Sequence, residues 1–141
     1  MEENNEWFVG EAESDNGRIV TRGRMFRTAP DTSAYKMRVE IVWQYKPDMM
    51  AMPLPDETIR MDDAMNALCD AMEKDGLALL TAIHIGGGHA VFVYYTRNID
   101  SFSARLDSTL GKYPVLPIRI GAAFDESWSE YKEMLRRFSI H

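Results

Sequence analysis

The sequence has 141 residues, which is about the length of one domain. Hydrophobic residues make up 45% of it, enough for a core that needs neither a metal nor a disulfide. The formal net charge of −6 argues against duplex nucleic acid and against an anionic membrane as the partner. We therefore expect one globular domain over residues 1–141, without a cofactor.

The compartment is indicated by the cysteine count and by the first residues. Cys69 is the single cysteine and cannot form an internal disulfide, so a reducing cytoplasm suits the chain. Residues 1–6 are acidic and polar, the opposite of the basic and then apolar start of a signal peptide. No apolar run approaches the ~20 residues of a membrane span. These features predict a cytoplasmic protein that does not bind a membrane.

Strand patterns come first along the chain. Residues 7–13 and 18–27 flank a loop that contains Asn16-Gly17, and an Asn-Gly pair in a short loop predicts a β-hairpin. Residues 35–45 then alternate apolar and polar side chains, which predicts a strand with one buried face.

The rest of the chain alternates between helical and strand patterns. Apolar residues at helical spacing, flanked by capping residues, predict three helices. After the strand at 35–45, the segments are a helix capped by Asp56 and Gly76, strands at 78–85 and 89–96, a helix capped by Asp100 and Gly111, a strand at 115–122, and a helix opened by a Ser127–Glu130 capping box.

This order predicts an α+β fold. Strand, helix, strand, strand, helix, strand is the split βαβ arrangement of ferredoxin-like folds, an antiparallel sheet with both helices on one face. The N-terminal hairpin and the C-terminal helix are additions. We expect the helix-facing side of the sheet to carry Met37, Val39, Ile41, Val91, Val93, Ile118 and Ile120. The opposite side then carries Ala90, Phe92 and Tyr94, covered by the third helix or by a second copy in a homodimer.

Several stretches of the chain also carry a family resemblance. They are the opening Trp7-Phe8-Val9-Gly10-Glu11-Ala12-Glu13, the strand end Trp43-Gln44-Tyr45, the helix segment Met72-Glu73-Lys74-Asp75, the run Phe92-Val93-Tyr94-Tyr95-Thr96 after the Gly-rich hairpin, and the late Trp128-Ser129-Glu130-Tyr131. Together they resemble a bacterial family catalogued as domain of unknown function 695. The resemblance implies a ferredoxin-like fold, loosely similar to ribonuclease E inhibitor domains. It supplies no catalytic residue and no mechanism.

The segment around the three consecutive glycines is the most unusual stretch. If Gly86-Gly87 forms a two-residue turn, His84 and His89 face each other with Cβ atoms ~5 Å apart. Two imidazoles are too few ligands for a protein-only metal site, so we expect no bound metal. The glycine N–H groups of Gly86, Gly87 and Gly88 can also meet a phosphate, although phosphate loops usually connect a strand to a helix. A ligand site at these five residues is one hypothesis.

Three other patterns have ordinary structural explanations. They are the Met49-Met50-Ala51-Met52 loop, whose thioethers could bind Cu(I), the Cys69 thiol, and the acidic helix face of Glu126, Glu130 and Glu133. Methionines often fill irregular gaps, and acids on an amphipathic helix are usually exposed. Acidic neighbours raise the pKa of a cysteine thiol, so we expect Cys69 to be buried and inert.

The main functional prediction is a non-catalytic, protein-binding or regulatory module that acts through its sheet surface or hairpin. No acid, base and nucleophile converge in the sequence. The predicted interaction surface consists of Lys36, Arg38, Phe92, Tyr94 and Arg119. The alternative is a small ligand-binding domain or enzyme with its site around His84 and His89. Binding of single-stranded RNA on the sheet is a third hypothesis, and the acidic composition counts against it.

Overall fold

The computed structural model describes residues 6–15 and 17–140. In chain order, the strands and helices are β1 (Glu6–Ser14), β2 (Gly17–Met25), β3 (Met37–Gln44), α1 (Pro55–Glu73), β4 (Ala78–Gly86), β5 (His89–Thr96), α2 (Ile99–Leu110), β6 (Ile118–Phe124) and α3 (Ser129–Arg137). Residues 1–5 and Asn16, on which the signal-peptide and Asn-Gly arguments rest, lie outside the described residues. None of the helices in the described part of the chain is long and apolar enough to cross a membrane.

The strands within residues 6–15 and 17–140 form one antiparallel sheet in the order β1-β2-β4-β5-β3-β6. Helix α1 connects β3 to β4, and α2 connects β5 to β6. This is the split βαβ arrangement, so the predicted ferredoxin-like α+β fold is confirmed. The β1–β2 hairpin extends the sheet on the β4 side.

Helices α1 and α2 pack on one face of the sheet. Their apolar stripes are buried as the helical spacing predicts, with Met61, Met65, Leu68 and Met72 on α1 and Phe102, Leu106 and Leu110 on α2. From the sheet, the fully buried side chains of Val39, Ile41 and Trp43 meet them. The alternating pattern of β3 therefore identifies its buried face correctly.

The face assignment of β5 is different from the prediction. Ile41 pairs with Phe92 and Val39 pairs with Tyr94, so these aromatic rings point toward α1 and α2. Val91 and Val93, which were expected there, point to the other face. That prediction was wrong because β5 is apolar at nearly every position, and a strand covered on both faces carries no alternation.

Helix α3 covers part of the second face. Trp128 is almost fully buried there, stacks on Tyr95 with ring centroids 4.2 Å apart, and donates from Nε1 to the Tyr35 carbonyl at 2.7 Å. Met134 packs in the same cluster, which also includes Val93. The nine residues of α3 span only ~14 Å. The helix therefore leaves the rest of this face open.

Asp125 caps the start of α3. Its carboxylate accepts hydrogen bonds from the backbone N–H groups of Ser129 at 2.9 Å and Glu130 at 3.1 Å. Trp128 precedes the helix with a left-handed φ of 57° and makes no side-chain cap. The predicted Ser127–Glu130 capping box is therefore wrong, because the left-handed residue changes the direction of the chain and brings Asp125 over the helix end.

Candidate functional site

The Gly-rich hairpin closes one residue later than predicted. Gly86 pairs with His89, and the turn consists of Gly87 and Gly88, whose φ angles are +62° and +92°. Glycine suits both positions because L side chains rarely adopt positive φ. Gly86 stays in the strand, where an added Cβ would lie 2.4 Å from the Arg18 carbonyl oxygen.

Because of this register, His84 faces Val91 and not His89. The predicted cross-strand histidine pair is therefore wrong. Both imidazoles nevertheless lie on the α3 side of the sheet, since residues 84 and 86 of β4 and residues 89 and 91 of β5 share a face. Gly88 belongs to the turn, and its carbonyl accepts from the Tyr45 N–H at 2.9 Å.

A cleft of about 290 Å³ lies on this open part of the sheet. We call it the hairpin cleft. Its lining is Ser14, Ile19, Val42, His84, Gly86, Gly87, His89, Val91 and Arg119. Four of the five predicted ligand-site residues therefore line one cleft, and Gly88 does not.

His84 is held in a fixed orientation at the inner side of the cleft. Its Nδ1 lies 2.8 Å from the hydroxyl of Thr21, a buried residue of β2. A hydroxyl that donates to Nδ1 leaves the ring proton on Nε2. Burial lowers the pKa of His84, and the positive charges of Arg38 and Arg137 act in the same direction. Burial thus favours the neutral imidazole, which donates from Nε2 in the tautomer whose Nδ1 accepts from Thr21.

Arg119 supplies the positive charge of the cleft. It is an exposed residue of β6 and pairs with Val42 of β3. Among the residues that the structure describes, no carboxylate forms an ion pair with Arg119, and neither Asp nor Glu lines the cleft. The cleft thus combines hydrogen-bond donors with apolar walls, in a chain whose net charge is −6.

Metal ligands do not gather around the histidines. Within residues 6–15 and 17–140, no group of three or more His, Cys, Asp and Glu side chains is placed to hold a metal ion. The hydroxyl of Ser14, the other polar side chain of the lining, donates to the Gly17 carbonyl at 2.8 Å.

The predicted interaction surface divides into buried and exposed residues. Phe92 and Tyr94 are only 5% and 0% exposed beneath α1 and α2, so their assignment to a surface was wrong. Lys36 and Arg119 are exposed, and Arg38 is partly exposed with a hydrogen bond to Glu40 at 2.6 Å. All three basic residues lie on or beside the neighbouring strands β3 and β6.

Strand β6 is the edge of the sheet nearest these basic residues. It pairs with β3 on one side, and no other strand of the described residues pairs with its outer side. The large apolar side chains of Ile120 and Phe124 are 44% and 64% exposed. We call the outer side of Ile118–Phe124 the open edge.

The hydrogen bonds at the two ends of β6 fix which backbone groups point outward. Gln44 N–H donates to the Pro117 carbonyl at 2.9 Å, and Asp125 N–H donates to the Lys36 carbonyl at 2.7 Å. Since an antiparallel ladder alternates, the odd-numbered residues between them bond to β3. The backbone groups of Ile120, Ala122 and Phe124 therefore point away from the sheet.

The comparison with family models identifies the domain. A model of a family of unknown function, DUF695, matches residues 5–136, which is most of the chain. The chain belongs to the DUF695 family. No curated protein and no solved structure matches it. In this DUF695 domain, the hairpin cleft and the open edge both lie within the matched residues.

Sequence patterns did not identify every residue of the DUF695 cleft. Ile19 reaches the cleft from β2 and Val42 reaches it from β3, while Thr21 of β2 contacts His84 from outside the lining. Their positions depend on the registers of β2 with β4 and of β3 with β5. Those pairings join segments far apart in the chain, and strand periodicity alone does not fix them.

Proposed function

We propose that this DUF695 domain is a non-catalytic protein-binding module that pairs a strand of a partner protein with its open edge. The observation that supports this is a seven-residue edge strand with outward backbone groups and exposed apolar side chains. Natural proteins usually protect such an edge, because it offers hydrogen bonds to any extended chain. Strand addition to a free sheet edge is a recurrent mode of peptide recognition.

The two edges of the sheet differ in how well they are protected against the addition of another strand. Strand β1, at the far edge, carries the acidic residues Glu6, Glu11 and Glu13. Charged side chains on an edge disfavour the addition of another strand. Strand β6 has Arg119 as its one charged residue. We therefore assign binding to the β6 edge and protection to the β1 edge.

Charge and polarity specify the kind of strand that suits this edge. On the α1/α2 side, Ile120 and Phe124 offer apolar contacts. On the α3 side, Arg119 and the neighbouring Arg38 offer positive charge, of which Glu40 offsets a part. The matching strand alternates apolar and acidic residues.

A second copy of this chain suits the edge less well. In the fully overlapped antiparallel register, the Arg119 of each copy aligns, across Ala123, with the Arg38 of the other. Like charges in one row of a sheet are destabilising, and each copy carries a net charge of −6. A partner strand with acidic residues avoids this repulsion. We propose the cytoplasm as the compartment, because Cys69 is the single cysteine.

The test uses a fluorescent eight-residue peptide that alternates valine and glutamate, with binding followed by anisotropy. Ala122→Pro should abolish binding while the domain stays folded, because the N–H of Ala122 points outward and proline removes only that donor. Ile120→Lys should weaken binding. Val9→Lys, at an exposed position of the opposite edge, is the matched control and should bind as the parent does.

Two results would contradict the proposal. One is equal binding of the peptide by Ala122→Pro and by the parent. The other is equal binding of a peptide in which lysine replaces glutamate. If sedimentation shows a dimer that Ala122→Pro dissociates, the occupant of the edge is a second copy, and the partner-strand proposal is wrong.

A further inference from the structure

We infer that the hairpin cleft binds a small organic anion, with its acidic group at Arg119 and its apolar part over the sheet. The cleft is lined by His84, His89 and Arg119 and lies on the face of the sheet, whereas the proposed partner strand occupies the open edge. Arg119 borders both sites. His84 and His89 border only the cleft, so ligand binding that is followed at their imidazoles goes beyond strand binding and can be tested independently of it.

The polar groups of the cleft select an anion. The guanidinium of Arg119 presents paired N–H donors, which match the two oxygens of a carboxylate or a phosphate. His84 lies on the other side of the cleft, because Val42 and Val91 separate it from Arg119 in one row across the sheet. It offers the ring nitrogen that does not contact Thr21. Within the described part of the chain, no acidic side chain lines the cleft to repel such a group.

The apolar side chains that line the cleft favour a ligand with an apolar part. Ile19, Val42 and Val91 line the cleft, and their side chains come from three different strands. An inorganic anion would leave these side chains uncovered, whereas an aromatic or aliphatic group attached to the acid would remove them from water. The ligand class is therefore an organic acid or a phosphate monoester.

The size of the cleft limits the ligand. About 290 Å³ is at the lower end of the volumes of small-molecule sites. A nucleotide or a cofactor with several rings is too large to be enclosed. A single ring that carries one acidic group fits this volume.

The cleft is also preorganised for binding. Its residues lie on paired strands, and the close approach of β2 to β4 is possible because position 86 lacks a Cβ. The hydrogen bond between the Thr21 hydroxyl and Nδ1 holds the His84 ring in place before any ligand arrives. Groups held in place by strands lose little conformational entropy when they bind.

The experiment titrates the folded domain with four probes and follows the imidazole signals of His84 and His89 by NMR. Phenyl phosphate and benzoate carry both the acid and the ring, inorganic phosphate lacks the ring, and benzyl alcohol lacks the charge. We expect saturable shifts with at least one of the first two, and clearly weaker binding of the other two probes. Phenyl phosphate against benzoate shows which acid the cleft prefers.

Two arginine variants test the charge of the cleft, and a third variant separates the cleft from the open edge. Arg119→Gln should weaken binding of the preferred acid ~10-fold, as expected for the loss of a charged hydrogen-bonding partner. Arg22→Gln removes an exposed arginine from the opposite face of the sheet and should have no effect. Ala122→Pro should also bind the acid normally, since it changes only the open edge.

The inference fails if neither acid shifts the imidazole signals. It also fails if benzyl alcohol or inorganic phosphate binds as tightly as the acids, or if Arg22→Gln weakens binding as much as Arg119→Gln does. None of these results bears on strand binding, which the valine–glutamate peptide measures separately.

Discussion

Arg24 of β2 and Glu73 at the end of α1 form an ion pair inside the protein, with 2.7 Å between Nη1 and Oε2. Their side chains are 4% and 21% exposed. The pair also satisfies both backbone hydrogen-bonding groups of Leu80. Its N–H donates to Glu73 at 2.8 Å, and its carbonyl accepts from Arg24 at 3.1 Å. The β2–β4 pairing ends at Ala82. Beyond that point, the side chains of Arg24 and Glu73 supply the hydrogen bonds that a paired strand would otherwise give to Leu80.

Removal of one charge from this pair should strongly destabilise the domain. Arg24→Met leaves the Glu73 carboxylate without its cation, and we expect a loss of ~3 kcal/mol in the free energy of unfolding, measured with urea. Arg27→Met, in an exposed pair with Glu6, is the control and should cost less than ~1 kcal/mol. Equal losses in the two variants would show that the buried pair contributes no more than a surface pair.

The same carboxylate should make Cys69 unreactive. Burial raises the pKa of the Cys69 thiol to about 12, and the negative charge of Glu73 adds to the effect. We expect alkylation by iodoacetamide at pH 7.5 to be at least ~100-fold slower in the folded domain than in urea, because the thiolate is the reactive form. Native Cys69 that reacts as quickly as the unfolded chain would contradict this prediction.

Asp125 should contribute a pH-dependent part of the stability. Burial acts to raise its pKa, but hydrogen bonds from Tyr95, Ser129 and Glu130 outweigh burial and hold the pKa below its ordinary value. The unfolded chain then binds the proton more readily than the folded one. This stabilisation is therefore complete above about pH 5 and disappears as the pH falls below ~4 through the folded pKa.

Urea unfolding of the parent and of Asp125→Asn between pH 2.5 and pH 7 tests this dependence. The parent should be more stable by ~1 kcal/mol at pH 6, as for a lost helix cap, and the difference should shrink below pH 4. Tyr95→Phe, which lacks one donor to the carboxylate, should show a weaker pH dependence than the parent. A difference that is constant over the whole range would exclude Asp125 as the titrating group.

Local sequence patterns predicted the helices and strands of this fold. The pairing of strands that are distant in the sequence determined which face of each strand is buried against which helix. The spacing of Met61, Met65, Leu68 and Met72 identified the buried face of α1, because helical periodicity is a property of the segment itself. Strand β5 could not be oriented in this way, since both of its faces are buried. Its orientation follows from the pairing of Ile41 with Phe92, which joins residues far apart in the sequence.

The candidate site was predicted in part for the same reason. The consecutive glycines indicated a tight hairpin, but which two of them form the turn depends on how closely β2 approaches Gly86. The resulting one-residue shift separated His84 from His89 across the ladder and yet left both in one cleft. Arg119 was expected on a surface, and only the pairing of β6 with β3 places it in the same cleft as the histidines.

Amide hydrogen exchange along β6 should show the open edge directly. The N–H groups of Arg119, Gly121 and Ala123 face β3 and should exchange slowly, whereas those of Ile120, Ala122 and Phe124 face outward and should exchange quickly. Two-dimensional NMR in D₂O resolves this alternation residue by residue. Saturation with the valine–glutamate peptide should slow the outward amides at least ~10-fold and leave the inward ones unchanged, because an added strand supplies the missing acceptors. Outward amides that are already slow in dilute monomeric protein would contradict the open edge, since they would then have acceptors within the chain itself.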